Sequence, residues 1–187
     1  MNHLEALRQF AHDGFAGNRW FKVNLHVHGE GNNPNEIVRK AREANIDVLA
    51  ITDHQAFRYC EPIMRAAQAP GRPLAVLPGI EITTLEGVHL LALFPADHSA
   101  FREFLGWLEI PGTGATTIAS RRGVHDVLKK VDEEDGIVIV PPPYSPGIGA
   151  LDGARKISTK EEWLETGLFR LTQISDEKVK YVEYDDA

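Results

Sequence analysis

The first clear pattern of apolar and polar positions falls on residues 21–28, FKVNLHVH. Leu25 and Val27 alternate with His26 and His28, and a period of two is typical of a β-strand, whose alternate side chains point to opposite faces. The pattern predicts that Leu25 and Val27 share one face and that both imidazoles share the other. A half-exposed strand with two polar surface residues would have the same pattern, so the rest of the chain must decide.

A helical period follows at residues 32–45, where Asn33 is suited to cap the helix and Pro34 to its first turn. Residues 46–51 are an apolar run typical of a strand buried on both faces. By the same criteria, helices are predicted at 1–13, 61–69, 98–110, 120–136 (with Ser120 as cap) and 159–166, strands at 74–84, 88–94, 136–140, 168–174 and 179–184, and loops at 110–117 and 141–153.

The alternation of buried strands with helices indicates an α/β fold with a largely parallel sheet, and the length of 187 residues fits one domain over 1–187. In folds of this kind the functional groups gather at the carboxyl ends of the strands.

Composition narrows the classes of function. A net charge of -7 argues against a protein that binds nucleic acid through a broad basic surface, although the pair Arg121 and Arg122 could hold one phosphate. The single cysteine, Cys60, excludes a disulfide framework and a cysteine-based zinc site, and it is compatible with a cytoplasmic location. The N-terminus lacks the pattern of a secretory signal, and no apolar run approaches the about 20 residues of a membrane span.

Candidate ligands stand at or near the ends of four successive predicted strands. They are His26 and His28, Asp53 and His54, Glu81, and His89. Taken singly, Asp53 could cap a helix, Glu81 could form a structural ion pair, and His89 could be an ordinary core histidine. A carboxylate within an apolar run is costly to bury unless it is paired or bound to a cation. Since imidazole and carboxylate together suit zinc, manganese or iron, the four strand ends predict a metal site.

The strings HVH, ITDH, PGIEI and VHLLALF, in this order and spacing, resemble the PHP family, named for polymerase and histidinol phosphatase domains. The resemblance covers roughly residues 20–95. It implies a distorted (β/α)7-type barrel and a centre of two or three divalent ions, Mn, Zn or Fe. Such a centre hydrolyses phosphate esters through an activated water. The implied substrate is a phosphorylated small molecule or a nucleic-acid end.

The same resemblance implies a role for each candidate. His26 and His28 would bind one ion, and Glu81 would bridge it to a second. His89 would serve the second ion and His54 a third. Asp53 matches the family's aspartate beside that histidine, which orients a ligand rather than binding the ion. The catalytic set would then be Asp53, His54 and Glu81.

Three positions depart from the family pattern. Asn33 stands where an Asp or His is usual, and Pro142 stands where a histidine ligand should follow the strand at 136–140. No Asp-x-His motif, and no histidine at all, follows His125, whose place within a helix predicts a surface role. We therefore expect fewer ions than in the family, with the first best held. The missing ligands have two explanations. The chain could be the N-terminal part of a longer protein, with an incomplete barrel, or it could be a degenerate PHP domain.

Residues 96–120 resemble PHP domains fused to an SMC-like ATPase module, although this chain has no G-x-x-x-x-G-K-[ST] loop. Three hypotheses follow: a metal-dependent phosphoesterase, a non-catalytic PHP-like module serving assembly or regulation of an attached ATPase, or another barrel-type metallohydrolase. Arg58, Arg121 and Arg122 are candidates for phosphate contact, and each could equally be a solvated surface charge.

Overall fold

The computed structural model of the protein describes residues 21–96, 101–110, 118–141 and 169–172. Its strands are β1 (Val23–Val27), β2 (Val48–Ile51), β3 (Ala75–Thr83), β4 (His89–Leu93), β5 (Ile137–Val140) and β6 (Phe169–Thr172), and its helices are α1 (Pro34–Glu43), α2 (Cys60–Ala67), α3 (Phe101–Leu108) and α4 (Val124–Glu133). The predictions at 1–13, 111–117, 142–168, including Pro142 and the helix at 159–166, and 179–184 lie outside the described residues.

The helix starts were predicted with mixed success. Asn33 caps α1 as expected, since its side chain accepts a hydrogen bond from the Asn35 backbone at 2.9 Å. The prediction of Ser120 as the cap of α4 is wrong, because the helix begins at Val124 with Gly123 as N-cap. The Ser120 hydroxyl instead donates to the Leu108 carbonyl, and so holds the end of α3.

The six strands form one sheet in sequence order, β1 to β6. β1, β2 and β3 run parallel, β3–β4 and β4–β5 are antiparallel, and β5–β6 is parallel. The sheet is therefore more mixed than the predicted, largely parallel one. Its curl makes a partial barrel wall, which confirms an α/β fold of the distorted, incomplete barrel type. No helix among the described residues is long and apolar enough to cross a membrane.

The two faces of the sheet bury different kinds of side chain. One face meets all four helices and forms the main core, to which Leu90 and Ala92 of β4 belong. The other face carries a small apolar cluster drawn, in the described part of the chain, from strands alone. In β4 this face is made by the alternate residues Leu91 and Leu93, and His89 has the same parity.

The prediction that Leu25 and Val27 share a face is wrong. Val27 packs against the main core and Leu25 against the small cluster of the opposite face. The pairing of β1 with β2 shifts register between Asn24 and Val27, and an extra residue at such an irregularity reverses the alternation that follows it.

β3 changes partner half-way along its length. Ala75–Pro78 pairs with β2, and Gly79–Thr83 pairs with β4. Beyond Pro78 the side of β3 that had faced β2 is bordered by residues 53–55 and 118–120 instead. The chain segment that follows β2 is thereby brought alongside the middle of β3.

Candidate metal centre

Glu81 is the centre of the predicted site. Two hydrogen bonds hold its backbone against the segment after β2, because its N–H donates to Asp53 O at 3.0 Å and its carbonyl accepts from Gln55 N at 2.9 Å. Its side chain is only 5% exposed and has the parity of Leu77, on the face of the small apolar cluster. A carboxylate so deeply placed needs partners.

Four histidines supply those partners. The Glu81 carboxylate lies 3.0 Å from His26 Nε2, 3.4 Å from His28 Nε2, 3.3 Å from His54 Nδ1 and 2.8 Å from His89 Nδ1. The first three distances are to Oε2 and the last is to Oε1. The structure thus brings together all five residues that the sequence nominated as metal ligands.

The five side chains form two groups that share Glu81. We call His26, His28 and Glu81 the first triad, and His54, Glu81 and His89 the second triad; within each, the potential ligand atoms lie within 4.8 Å of one another. The resemblance implied a third ion for His54, which stays a prediction, and among the described residues His54 lies with Glu81 and His89. His89 reaches the site because β4 is antiparallel, so that its first residue lies beside the end of β3, opposite Thr83.

Asp53 ties the turn after β1 to the end of β2. Its Oδ1 accepts a hydrogen bond from the Glu30 N–H at 2.7 Å, two residues after His28. Gly29 permits this close packing, because a Cβ there would lie 2.7 Å from the Tyr59 Cβ and 3.2 Å from Asp53 Oδ2. This position matches the predicted orienting role of Asp53, which stays a prediction.

The charges of the cluster suit cation binding. Burial raises the pKa of Glu81, but hydrogen bonds with His26 and His89 outweigh it and lower that pKa to about 2. Burial is also the main cause that lowers the pKa of His54, against the attraction of Glu81. At neutral pH the site therefore offers an ionised carboxylate and a neutral His54 imidazole, the forms in which both groups bind metal.

One further observation fits a metal. Among the described residues, the buried side-chain polar atoms that lack a hydrogen bond are Thr52 Oγ1, Asp53 Oδ2, His54 Nδ1 and Gln55 Oε1. His54 Nδ1 faces the Glu81 carboxylate without the geometry of a hydrogen bond. This nitrogen lacks a hydrogen bond and lies beside a carboxylate and other imidazoles. Together these groups are a set of ligands that Zn²⁺, Mn²⁺ or Fe²⁺ could bind.

The remaining candidates have other contacts. Arg58 pairs at 3.2 Å with Glu30, in the turn after His28. Arg122 donates to the Trp107 carbonyl at 2.7 Å and to Glu109 at 2.5 Å, and Arg121 is largely exposed near Glu109. His125 lies exposed on α4, as predicted.

Sequence reasoning missed Gln55. It is completely buried beside Glu81, and its backbone adopts a left-handed conformation with φ of 54°. A glutamine directly after the ITDH string carries no local pattern that would predict either property, because both depend on the neighbouring strands.

Comparison with known proteins supports the fold. No family model and no curated protein sequence matches the chain. A Bifidobacterium adolescentis protein described as a metal-dependent phosphoesterase superposes with a TM-score of 0.57 and 14% identity, over 82% of this chain and 76% of that one. A two-domain Bacteroides vulgatus protein, described as containing a PHP-like metal-dependent phosphoesterase, gives 0.57 and 14% over 81% of this chain and 43% of that one.

Endonuclease Q, in a complex with a DNA duplex that has an abasic lesion at the active site, gives a TM-score of 0.57 and 15% identity. The similarity covers 74% of this chain and 39% of that one. The chain therefore has the fold of the PHP-like metal-dependent phosphoesterases, as the resemblance of its motifs implied. On that fold it carries a His/Glu cluster able to hold divalent ions.

Proposed function

We propose that the protein is a metal-dependent phosphoesterase that hydrolyses phosphate esters of nucleotides or of nucleic-acid ends. The observation that carries the proposal is the position of Glu81, whose buried carboxylate has His26, His28 and His54 beside Oε2 and His89 beside Oε1 and belongs to both triads. A carboxylate that can bridge two cations is what hydrolysis with two ions requires. The likeness in fold to phosphoesterases supports the same assignment.

In this proposal the first triad and the second triad each hold one ion of Mn²⁺, Zn²⁺ or Fe²⁺, with Glu81 common to both. Divalent ions there supply the acidity that activates a water and the positive charge that holds the phosphate oxygens. The protein supplies the ligands and their orientation. Asp53 fixes the turn that follows His28 through the Glu30 N–H, so His28 keeps its place in the cluster.

The test uses the purified protein, depleted of metal with a chelator and reconstituted with Mn²⁺, Zn²⁺ or Fe²⁺. Bound ions are counted by elemental analysis, and hydrolysis is followed with p-nitrophenyl phosphate, bis(p-nitrophenyl) phosphate and a DNA oligonucleotide with a terminal phosphate. We expect two bound ions and metal-dependent release of phosphate or nitrophenol. The matched variants are Glu81→Gln and the exposed Glu61→Gln, of which only the first should abolish hydrolysis.

Two results would contradict the proposal in different ways. If no divalent ion binds at micromolar concentrations, the cluster is not a metal centre. If two ions bind but none of the three substrates is hydrolysed, the hypothesis of a non-catalytic PHP-like module, serving an attached ATPase, gains support instead.

A further inference from the structure

Gln55 combines two features that are unfavourable unless something compensates for them. It has a left-handed backbone, with φ of 54°, which side chains with a Cβ seldom adopt apart from Asn and Asp. It also buries its amide completely. Such strain persists only where surrounding contacts determine it, so the contacts of this side chain need an explanation.

The principal contact joins Gln55 to the segment that leads into α4. The amide Nε2 donates a hydrogen bond to the backbone carbonyl of Ile118. Because a carbonyl only accepts, the NH₂ group must face Ile118, and this fixes the orientation of the amide. The other end of the amide, Oε1, is buried with no hydrogen-bond partner in the described ranges.

This contact connects two segments that border the same side of β3. The Gln55 N–H donates to the Glu81 carbonyl at 2.9 Å, and the Ser120 N–H donates to the Thr83 carbonyl at 2.7 Å. The hydrogen bond from Gln55 to Ile118 links these two segments to each other. The segment that carries His54 is thereby held to β3 directly, through Glu81, and indirectly, through residues 118–120.

The orientation of His54 depends on this arrangement. His54 forms a parallel bridge with Glu81, and its Nδ1 lies 3.3 Å from Glu81 Oε2 with no hydrogen bond to fix the ring within the described structure. The ring lies 4.7 Å from the His28 ring and 5.8 Å from the His89 ring, and the backbone to which Gln55 belongs sets its place beside them. The first triad has no ligand in residues 52–55.

We infer that Gln55 is a positioning residue for the second triad, and that its hydrogen bond to Ile118 sets how tightly one of the two ions is held. The inference rests on the proposed function, since it assigns an ion to each triad. It predicts a selective effect, which a general loss of stability would not produce.

The test compares Gln55→Asn and Gln55→Glu with the exposed control Gln68→Asn. Asparagine tolerates the left-handed backbone but is one methylene too short to reach Ile118, and glutamate keeps the length but has a donor only when it is protonated. In Mn²⁺ titrations followed by electron paramagnetic resonance, we expect one ion to bind about 10-fold or more weakly and the other unchanged, as for loss of an outer-shell partner. Gln68→Asn should behave as wild type.

A second measurement needs no metal. In the chelator-treated protein, the ring ¹H–¹³C resonances of His54 should move in both Gln55 variants, and those of His26 should not. The resonances of His28 and His89, whose rings lie 4.7 Å and 5.8 Å from the His54 ring, should follow those of His54. Equal weakening of both ions, or unchanged binding of both, would overturn the inference. If the wild type binds no ion, the proposed function fails, and a His54 ring resonance that stays in place overturns this inference separately. If Gln55→Glu does not fold, Gln55→Asn decides.

Discussion

The two triads share Glu81 but are built in different ways. In the first triad, both histidines come from one short segment, since His26 lies in β1 and His28 follows its last residue. This triad is open to solvent, and the His28 side chain is 39% exposed. The second triad draws His54 and His89 from two segments on opposite edges of β3, and the His89 side chain is 10% exposed. The histidines of the first triad are brought together by their closeness in sequence. Those of the second triad come together only when β3 has paired with β4 and with the segment after β2.

The first triad is the more robust part of the site. A local pair such as His26 and His28 keeps its spacing whenever β1 is extended. The second triad depends on the antiparallel register of β3 and β4, which places Thr83 opposite His89, and on the segment after β2. Its ligands are better shielded from water, and its geometry is more easily lost.

The largest effect should come from Glu81→Gln, because it removes the ligand common to both triads. Loss of an outer partner of a metal ligand already costs about 10–100-fold in metal affinity, so loss of the shared ligand should exceed that range at both positions. Elemental analysis and hydrolysis assays measure it against Glu61→Gln. Retention of both ions would show that Glu81 is not a ligand of either.

Removing one histidine pair at a time separates the triads. His26→Ala with His28→Ala, and His54→Ala with His89→Ala, should each remove one of two ions and leave the other. Hydrolysis should be lost in both double variants, because both the attacking and the leaving oxygen need a cation. If the first double variant removes all metal, the second triad holds no ion of its own.

Acidification should destabilise the metal-free protein in two steps. The pKa of His54 is lowered below 6.5 and that of Glu81 is lowered from 4.5 to about 2. In both cases the unfolded chain binds more protons than the folded one, so stability falls as the pH drops through 6.5 and again from 4.5 towards 2.

Urea midpoints between pH 8 and pH 3, in the presence of a chelator, measure this. His54→Gln should flatten the upper step and Glu81→Gln the lower one, relative to wild type. An unchanged profile in either variant would mean that the group is not perturbed by its surroundings as described.

The smallest effect concerns Asn33. It stands where the family pattern has an Asp or His, and its side chain caps α1. Asn33→Ala should lower the free energy of unfolding by about 1 kcal/mol, and Asn33→Asp, which keeps the cap, should not. Neither change should alter metal content. Thermal unfolding and elemental analysis check both points, and a gain of metal in Asn33→Asp would show that position 33 belongs to the site.

The sequence predicted the elements and the nominated ligands because both leave local patterns. Period-two and helical periodicity located β1, β2 and α1 to within a few residues, and the GIEI string exposed Glu81 as a carboxylate that needs partners. The features that the sequence did not predict depend on contacts between segments that are distant along the chain. The register shift in β1 separates Leu25 from Val27, and contacts made far along the chain bury Gln55.

Pro78 stands where β3 leaves β2 and turns to β4. Proline has no N–H, so the strand changes partner at a residue that has no amide proton to protect. Amide hydrogen exchange along β3 should therefore divide there into two blocks. The amide of Ala75, which donates to Asp47, should exchange with the opening of the parallel pair, and those of Ile80 and Ile82, which have the opposite parity to Glu81, with the opening of β4. Because His89 belongs to β4, partial opening of the β3–β4 hairpin would remove this histidine from the cluster while the Glu81 backbone stayed bonded to Asp53 and Gln55.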